Sequence, residues 1–568
     1  MPDLDLVLLN ARVRTLDPER PSATAIGIAG GRIAVVGDAA DVRPHAGPGT
    51  ETIDLAGAAV VPGLIDAHTH PFKGAIDARG ADLTGARDLD EVRRRLAAER
   101  ARTADGDWVL GFGLGYDVFA ATGAHGHLIE DAVGGAPAFL LLMDLHTALV
   151  SPRALKLAGV TGPRAFDEQS EVVCADGVPT GELREWAAMD LVRDQIPELT
   201  GEQRHALYVA QLRRFAALGI TGTHAMDGSL ATHDTLRRLE ADGDLPIRVV
   251  APFWITPDTP RDEWSVLAEH RDAHGRRWRG GVAKFFVDGV IDSGTGWLVD
   301  PDTEGDGTLP FWPDPARYRE AVAFFASRGF QCATHACGDR AVREALDAYR
   351  ATGEAGVPLH EAGVPLHPAL TAGAPSGVAS RSGAGADPAA RRIPHRVEHI
   401  ETIQPEDLPR FAAEGVTASM QTQHMMDLAP DRSDNWSRRL GPDRCDRAFR
   451  TRELWGTGAL VALGSDWPVV GLDPREGMAS ARLRRNPSDP AQAPYDDQAL
   501  DGLQALVGYT RNAAAAVGED DRRGTIRAGF DADLTVFAVD PVTTAAEDLL
   551  ALPVLLTVVD GEIVHRAV

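Results

Sequence analysis

The middle of the chain alternates short apolar, β-branched runs with amphipathic stretches of helical period. This alternation is typical of parallel β/α folds, because the helices that follow the strands bury both faces of the sheet. Eight such runs can be counted, the number that a (β/α)8 TIM barrel requires. We therefore predict an α/β fold class with a TIM barrel, residues 59–514, as the main domain. The predicted barrel strands are 59–67, 218–224, 246–253, 281–288, 328–335, 394–399, 415–420 and 458–465.

Both ends of the chain consist of short strand-like runs instead. Gly30-Gly31 near the start and Asp560-Gly561 near the end are typical two-residue hairpin turns. Two β-rich ends around a long β/α middle indicate one small domain assembled from both termini. We predict that residues 1–58 and 515–568 together form a small β-sandwich.

Two segments interrupt the barrel pattern. The strand-like runs WVLGFG and PAFLLLM precede the second barrel strand, and we assign them to an α+β insertion, 72–215, after barrel strand 1. Residues 352–392 are rich in Gly, Ala, Pro and Ser and repeat the heptapeptide EAGVPLH, which predicts a flexible loop. The histidines of the repeat, His360 and His367, come with the duplication, so we do not expect them to bind metal.

The composition excludes several classes of partner. A net charge of -26 disfavours binding to nucleic acid and to anionic membranes. The start, MPDLDLVLLN, carries acids where a secretory signal needs positive charge, and it is too short an apolar run to span a bilayer. The four cysteines form no C-x-x-C pair, which is typical of a reducing compartment. We expect a cytoplasmic protein that acts on a small molecule.

The predicted strands carry metal-ligand side chains at or near their carboxyl ends, which is where the active site of a β/α barrel lies. Strand one ends in His-x-His, and this spacing places both imidazoles on the same face because side chains alternate along a strand. Imidazole and carboxylate together suit a divalent metal such as zinc, manganese, iron or cobalt. The side chains expected to meet at this rim are His68, His70, Lys284, His335, His399 and Asp466.

Beyond this pattern, the chain resembles the metal-dependent amidohydrolase superfamily, within the amidohydrolase 3 (YtcJ-like) group that includes N-substituted formamide deformylases. The motifs span nearly the whole chain in the order of that group. They are GGRIAVVGD, VVPGLIDAHTH, DLHTALVSPRALKLAG, KFFVDG, HACGDRAV, RVEHI, GSDWPV and GTIRAGFDADLTVF.

The resemblance implies a TIM barrel with a β-sandwich, a homodimer and a metal centre. His68, His70, His335, His399 and Asp466 are then the expected ligands, with one or two divalent metals per chain, zinc being the first expectation. Carboxylation of Lys284 by CO2 would supply a bridging ligand between two metals. Unmodified lysine is a cation without a free lone pair, so it cannot play that part. A lysine that contacts the nearby Asp288 or the substrate is the alternative reading.

Four further residues are predicted to contact substrate. His146 lies in the insertion motif DLHTALVS, and His224 follows the second predicted strand. Asp288 lies just before VIDSGTGWL and Trp297 lies within it, where the chain departs from the Ser-Leu-Gly-Ser-type sequence usual in the group. Glu185, in PTGELREWA, also matches a motif of the group, without a role that the sequence assigns.

The predicted activity is hydrolysis of a non-peptide carbon–nitrogen bond of amide or formamide type. The resemblance implies attack by a metal-activated hydroxide, with Asp466 as the proton shuttle. One alternative is a one-metal enzyme of the same fold, deaminase-like or aminoacylase-like, with Lys284 unmodified. Another is a non-catalytic scaffold, which the complete set of predicted ligands disfavours.

Overall fold

The computed structural model describes residues 3–166, 170–353, 356–358 and 392–567. Eight parallel strands in the middle of the chain form the layer that carries the site. The third is interrupted at Pro252, which has no amide hydrogen to donate. They are β1 (Leu64–Thr69), β2 (Ile220–Ala225), β3 (Arg248–Val250, then Phe253–Trp254), β4 (Val282–Phe286), β5 (Gln331–Ala336), β6 (Arg396–His399), β7 (Thr417–Met420) and β8 (Val461–Leu463).

These strands pair in chain order. β1 pairs with β2, and β2 pairs with the first part of β3. The second part of β3 pairs with β4, and parallel pairing continues through β5, β6 and β7 to β8. A parallel bridge between Thr69 and Trp467 connects the end of β1 to the segment after β8. All eight carboxyl ends therefore face the same way.

Strand β4 shows how the sequence directs side chains to two sides. Its five residues, VAKFF, are all buried. Phe285 packs edge-on against Tyr318 and Phe325 of the helix Pro315–Ser327. Lys284 and Phe286 point to the opposite side, because side chains alternate along a strand. The lysine is thus directed away from the helical layer.

The first predicted strand, 59–67, is divided in the structure. Ala59–Pro62 pairs with Leu534–Phe537 in a different sheet, and Leu64–Thr69 is β1. The chain changes sheets at Gly63, where a β-carbon would lie 2.2 Å from Thr221 Oγ1. Both halves are buried, so the apolar run gave no sign of the break.

The two ends of the chain share a sheet. Its strands follow the order Glu562–Arg566, Val554–Val559, Leu534–Phe537, Ala59–Pro62, Arg12–Arg14 and Ser22–Ala23. The second sheet has the order Arg32–Gly37, Ala25–Ala29, Leu4–Leu9 and Ala46–Asp54. Both predicted hairpins are confirmed, with two-residue turns at Gly30-Gly31 and Asp560-Gly561.

The segment between β1 and β2 has a sheet of its own. Both strand-like runs that were assigned to it are present as parallel neighbours, Val109–Leu114 and Ala138–Leu142. A long helix, Gly201–Ala217, begins at a capping box of Thr200 with Gln203 and leads into β2. The sheet order is Glu171–Ala175, Val178–Arg184, Thr147–Val150, Ala138–Leu142, Val109–Leu114 and Ala81–Asp82.

Helices cover the outside of the parallel strands. Within the described ranges, none of them is both long and apolar enough to cross a membrane. Most of the predicted loop 352–392, with His360 and His367, lies outside the described residues. The α-helices are Ala39–Val42, Lys73–Asp77, Leu89–Arg100, Pro152–Leu157, Trp186–Arg193, Gly201–Ala217, Leu230–Ala241, Arg261–Glu269, Pro315–Ser327, Asp339–Ala351, Leu408–Ala413, Asn435–Leu440, Pro442–Cys445, Thr451–Gly456, Pro474–Leu483, Gly502–Gly508 and Arg511–Ala516.

Candidate metal centre

The carboxyl ends of the strands bring the predicted ligands together around Asp466. Its Oδ1 lies 3.3 Å from His68 Nε2 and 3.1 Å from His70 Nε2. Its Oδ2 lies 3.8 Å from His399 Nδ1. The ring of His335 is centred 4.4 Å from that of His399. One carboxylate and four imidazoles therefore lie close enough together to form a single polar cluster.

Lys284 lies at this centre with no partner. Its side chain is 0% exposed, and Nζ makes no hydrogen bond within the described ranges. The ammonium position lies over the ring of Phe286, 4.8 Å from its centroid. Burial lowers the pKa of Lys284 to about 8, although Glu398 and Asp466 oppose that shift. The neutral amine is thus far more accessible near physiological pH than in an ordinary lysine, although the ammonium still predominates below pH 8.

Two of the predicted ligands have a backbone conformation that non-glycine residues rarely adopt. His399 has φ 74° and Asp466 has φ 65°. Left-handed backbone at such residues costs on the order of 1–3 kcal/mol and is concentrated at functional sites. Here it turns the side chains at the ends of β6 and β8 toward the shared centre.

Carboxylates outside the centre fix the orientation of the His-x-His pair. His68 Nδ1 donates to Glu398 Oε2 at 2.7 Å, and His70 Nδ1 donates to Asp227 Oδ1 at 2.8 Å. Each Nε2 is then free to bind a metal, as is usual for metal-binding histidines. Burial opposes the charged form, yet Asp227 and Asp466 raise the pKa of His70 to about 9.

Glu398→Gln is expected to destabilise the protein strongly. Glu398 accepts from Arg396 Nε at 2.5 Å, and Arg396 is only 1% exposed, so the neutral amide leaves a buried cation unpaired. Such a loss typically costs about 3–5 kcal/mol. The melting temperature should fall sharply, and metal affinity should fall about 10–100-fold because a neutral amide replaces the carboxylate that accepts from His68. Glu406→Gln, at a carboxylate that is 64% exposed, is the control and should stay within about 1 kcal/mol.

The same pair predicts a dependence of stability on pH. Burial raises the pKa of Glu398, but Arg396 and His68 outweigh burial and lower it below its ordinary value. The stabilisation is therefore fully present above the unfolded pKa of about 4.3 and is lost as the pH falls below it. An equal melting temperature for Glu398→Gln and the wild type at pH 7 would contradict the pairing.

His424 was missed by sequence reasoning. Its Nε2 lies 3.3 Å from Asp466 Oδ2, and its ring stacks on His399 with centroids 5.7 Å apart. Its Nδ1 lies 3.6 Å from Glu401 Oε1. The available signal was a histidine shortly after β7, in QTQHMM, at the same kind of strand end as the predicted ligands.

A cavity of about 650 Å³ opens onto the centre. All the predicted ligands except Lys284 contribute to its lining, as does His424. One wall is aromatic: Trp186 packs edge-on against Trp254, and Trp254 packs against Phe286, each pair 5.2 Å apart. Such a cavity is of the size that small-molecule ligands occupy.

Of the four predicted substrate contacts, one lines this cavity. His146, from the insertion, is part of the lining. His224 is buried elsewhere, where its Nδ1 accepts from Arg396 Nη1 at 3.0 Å, and burial and Arg396 lower its pKa. His224 is not part of the cavity lining, so the structure gives no support to a contact with substrate.

Asp288 and Trp297 also lie outside the cavity lining. The two oxygens of Asp288 accept hydrogen bonds from the amides of Trp297, Cys337 and Gly338 at 2.8–3.1 Å. Trp297 is buried, and its ring is covered by Arg340. The contacts of Asp288 hold the loops after β4 and β5 together.

A second group of potential ligand atoms lies beside the first. Asp288, His335 and Cys337 each offer an atom within 4.8 Å of the others. However, both oxygens of Asp288 are engaged by backbone amides, and burial raises the pKa of Cys337 well above its ordinary value. His335 Nε2 donates to Gly289 O at 3.0 Å, which leaves the lone pair on Nδ1. His335 is therefore suited to bind metal through Nδ1.

Comparison with known proteins gives the family. The sequence matches the description Amidohydrolase family over residues 51–565. The chain belongs to the amidohydrolase family. It is thus a hydrolase acting on carbon–nitrogen bonds, as the motifs predicted, and the resemblance inferred from the sequence is confirmed.

Relatives match along most of the chain. An N-substituted formamide deformylase of Arthrobacter pascens is 28% identical, covering 98% of this chain and 97% of that protein. The protein LONG AFTER FAR-RED 3 of Arabidopsis thaliana is also 28% identical, covering 98% and 91%. An uncharacterized metal-dependent hydrolase from Pyrococcus horikoshii superposes with TM-score 0.69 at 22% identity, covering 95% of this chain and 99% of that one. That structure supports the fold.

Proposed function

We propose that this amidohydrolase cleaves a non-peptide amide or formamide bond of a small molecule, with a divalent metal held by His68, His70, His335, His399 and Asp466. The convergence of these side chains on one cavity carries the proposal. The name of the N-substituted formamide deformylase relative supports the substrate class.

The residues fit a metal by their unsatisfied atoms. His68 Nε2, His399 Nδ1 and Asp466 Oδ1 are buried and lack a well-formed hydrogen bond within the described ranges. Buried polar atoms without partners are costly, and a cation would satisfy all of them at once. Imidazole nitrogens with a carboxylate oxygen form a donor set that suits zinc.

The chain's own residues then account for the proton transfers. When bound, the metal would lower the pKa of water toward neutrality and polarise the acyl oxygen. Asp466 is held as a carboxylate, because His68, His424 and His70 lower its pKa against the effect of burial. We propose that it accepts the proton of the attacking water and passes it to the leaving nitrogen. The walls of the cavity hold the acyl group against this carboxylate.

We further propose that Lys284 is carboxylated and bridges two metals. Its buried, unpartnered Nζ and lowered pKa support this. A one-metal enzyme, deaminase-like or aminoacylase-like, is the second candidate. The observation in its favour is that His68, His399 and Asp466 place ligand atoms within 4.8 Å of one another and could hold one ion without Lys284.

The pairing of the strands supports two proposals about the architecture. We propose that β1–β8 form one closed (β/α)8 barrel, supported by their chain-order pairing and the bridge from Thr69 to Trp467. We also propose that the two sheets built from the chain ends are the predicted β-sandwich domain, supported by the strands that both ends contribute to one sheet.

Elemental analysis on protein purified without chelator and with bicarbonate tests the centre, paired with hydrolysis assays on formamides and other amides. Two zinc ions per chain with turnover of a formamide is the expected result. One metal with deamination or deacylation would favour the second candidate. His68→Ala/His70→Ala should lose the metal, whereas unchanged occupancy would show that the pair is not a ligand.

A further inference from the structure

His146 and Glu185 form a buried pair that faces the metal centre from the insertion. His146 Nδ1 donates to Glu185 Oε2 at 2.8 Å, and Glu185 is 0% exposed. The ring of His146 lines the cavity, 5.4 Å from the ring of His335. Within the described ranges, no hydrogen bond from the protein engages Nε2 of His146. Its second nitrogen is therefore available to a ligand in the cavity.

The backbone at Glu185 is strained in a way that serves this pair. Glu185 has φ 62° and ψ 171°, a region that is essentially reserved for glycine. Its amide donates to the carbonyl of His146 at 2.7 Å. This hydrogen bond connects the strained backbone of Glu185 directly to His146. A conformation this unfavourable persists only where the surroundings enforce it.

The barrel supports Glu185 from the other side. Thr295 Oγ1 donates to Glu185 Oε1 at 2.7 Å. A β-carbon at Gly289 would lie 2.2 Å from that same oxygen, so the glycine leaves the space that the carboxylate occupies. The carbonyl of Gly289 accepts from His335 Nε2 at 3.0 Å. One continuous set of contacts thus joins His146 to a proposed metal ligand.

We propose that His146 is a catalytic residue that donates a hydrogen bond through Nε2 to the acyl oxygen of the substrate, and that Glu185 is its positioning residue. This inference rests on the proposed function. His146 lies beside His335, whereas the proposed proton shuttle, Asp466, is surrounded by His68, His70, His399 and His424. When the acyl carbon of the substrate lies between His146 and Asp466, its oxygen points toward His146. The attacking water then lies next to Asp466.

The assignment requires His146 as an imidazolium, because Nδ1 already donates to the Glu185 carboxylate and Nε2 must carry a proton as well. A proton on each nitrogen of His146 gives one hydrogen bond to the Glu185 carboxylate and one to the acyl oxygen. Negative charge grows on that oxygen as the carbonyl carbon becomes tetrahedral, so the second hydrogen bond strengthens in the transition state. The effect should accordingly appear in kcat rather than in KM.

The test compares His146→Phe, His146→Gln and Glu185→Gln on an amide that the wild type turns over. Phenylalanine keeps the ring that packs on Trp186 but removes both nitrogens, whereas glutamine retains a donor. We expect kcat of His146→Phe to fall about 10²-fold with KM and metal content nearly unchanged. His146→Gln should recover part of the loss.

Glu185 is tested by its dependence on His146. Glu185→Gln alone should lower kcat, but adding it to His146→Phe should cause no further loss, because the carboxylate acts through the imidazole. Additive losses, a loss confined to KM, or near-normal kcat in His146→Phe would overturn the proposal while hydrolysis by the wild type stands. Absence of hydrolysis by the metal-loaded wild type would overturn the proposed function and this inference with it.

Discussion

Asp466→Asn is expected to abolish hydrolysis while the protein remains folded. Asparagine keeps the size of the side chain and one oxygen that can bind metal, but it cannot accept a proton from water. A positioned acid–base group contributes about 10²–10⁴ in rate, and here the same residue also binds the metal. We therefore expect a loss of kcat at or beyond the upper end of that range, measured on an amide that the wild type hydrolyses.

Two controls separate chemistry from folding. Asp446→Asn, at a carboxylate that is 72% exposed and pairs with Arg432, should keep full activity. The melting temperature and metal content of Asp466→Asn should stay close to those of the wild type, because His68, His70 and His399 remain. Turnover within tenfold of wild type would exclude Asp466 as the shuttle.

Four histidines of the centre, His68, His70, His335 and His399, were predictable because they follow simple rules of strands. A strand places alternate residues on one side, so His68 and His70 could be assigned to the same face without a structure. Parallel strands end at the same edge, so His335 and Asp466 could be expected nearby. Both rules use only the direction of the chain and the two-residue period of side chains along a strand, and both can be read from the sequence.

The supporting residues were not predictable in this way. Asp227 and His424 lie beyond the ends of β2 and β7, where the loops decide which way a side chain points. Glu398 precedes His399 on β6 and reaches His68 across the interior, a contact that depends on the arrangement of all the strands. The strand predicted over 59–67 failed for a related reason: the apolar pattern reports burial but not the sheet that buries each half.

The substrate contacts illustrate the same limit. Asp288 looked like a polar residue at a strand end, yet three backbone amides occupy its oxygens. Glu185 had no role that the sequence could assign, because its partners His146 and Thr295 belong to the insertion and to a barrel loop far apart in the chain. Distant segments meet only once the fold is known.

Lys284→Met is expected to remove one metal and most of the activity. Methionine fills the same buried space without a charge and cannot be carboxylated. Loss of a metal that polarises the acyl oxygen removes several kcal/mol of transition-state stabilisation, which corresponds to about 10³-fold or more in kcat. Elemental analysis should give one metal per chain in place of two. Lys156→Met, on the exposed face of the helix Pro152–Leu157, is the matched control.

The chain has only three lysines, Lys73, Lys156 and Lys284, so a carbamate can be assigned directly. With ¹³C-bicarbonate, the wild type and Lys156→Met should show one carbamate resonance that Lys284→Met lacks. Two metals retained in Lys284→Met would exclude the bridge and favour the one-metal enzyme.

The pH dependence follows from the same group. The pKa of Lys284 is lowered from 10.5 to about 8, so the unmodified folded state binds fewer protons than the unfolded state above pH 8. Its stability should therefore be lowest below pH 8 and rise between about pH 8 and 10.5. Only the neutral amine reacts with CO2, so at fixed dissolved CO2 the carbamate should also form more completely as the pH rises toward 8. A stability that is flat across this range in metal-free protein would mean that the ammonium of Lys284 is already paired in the fold.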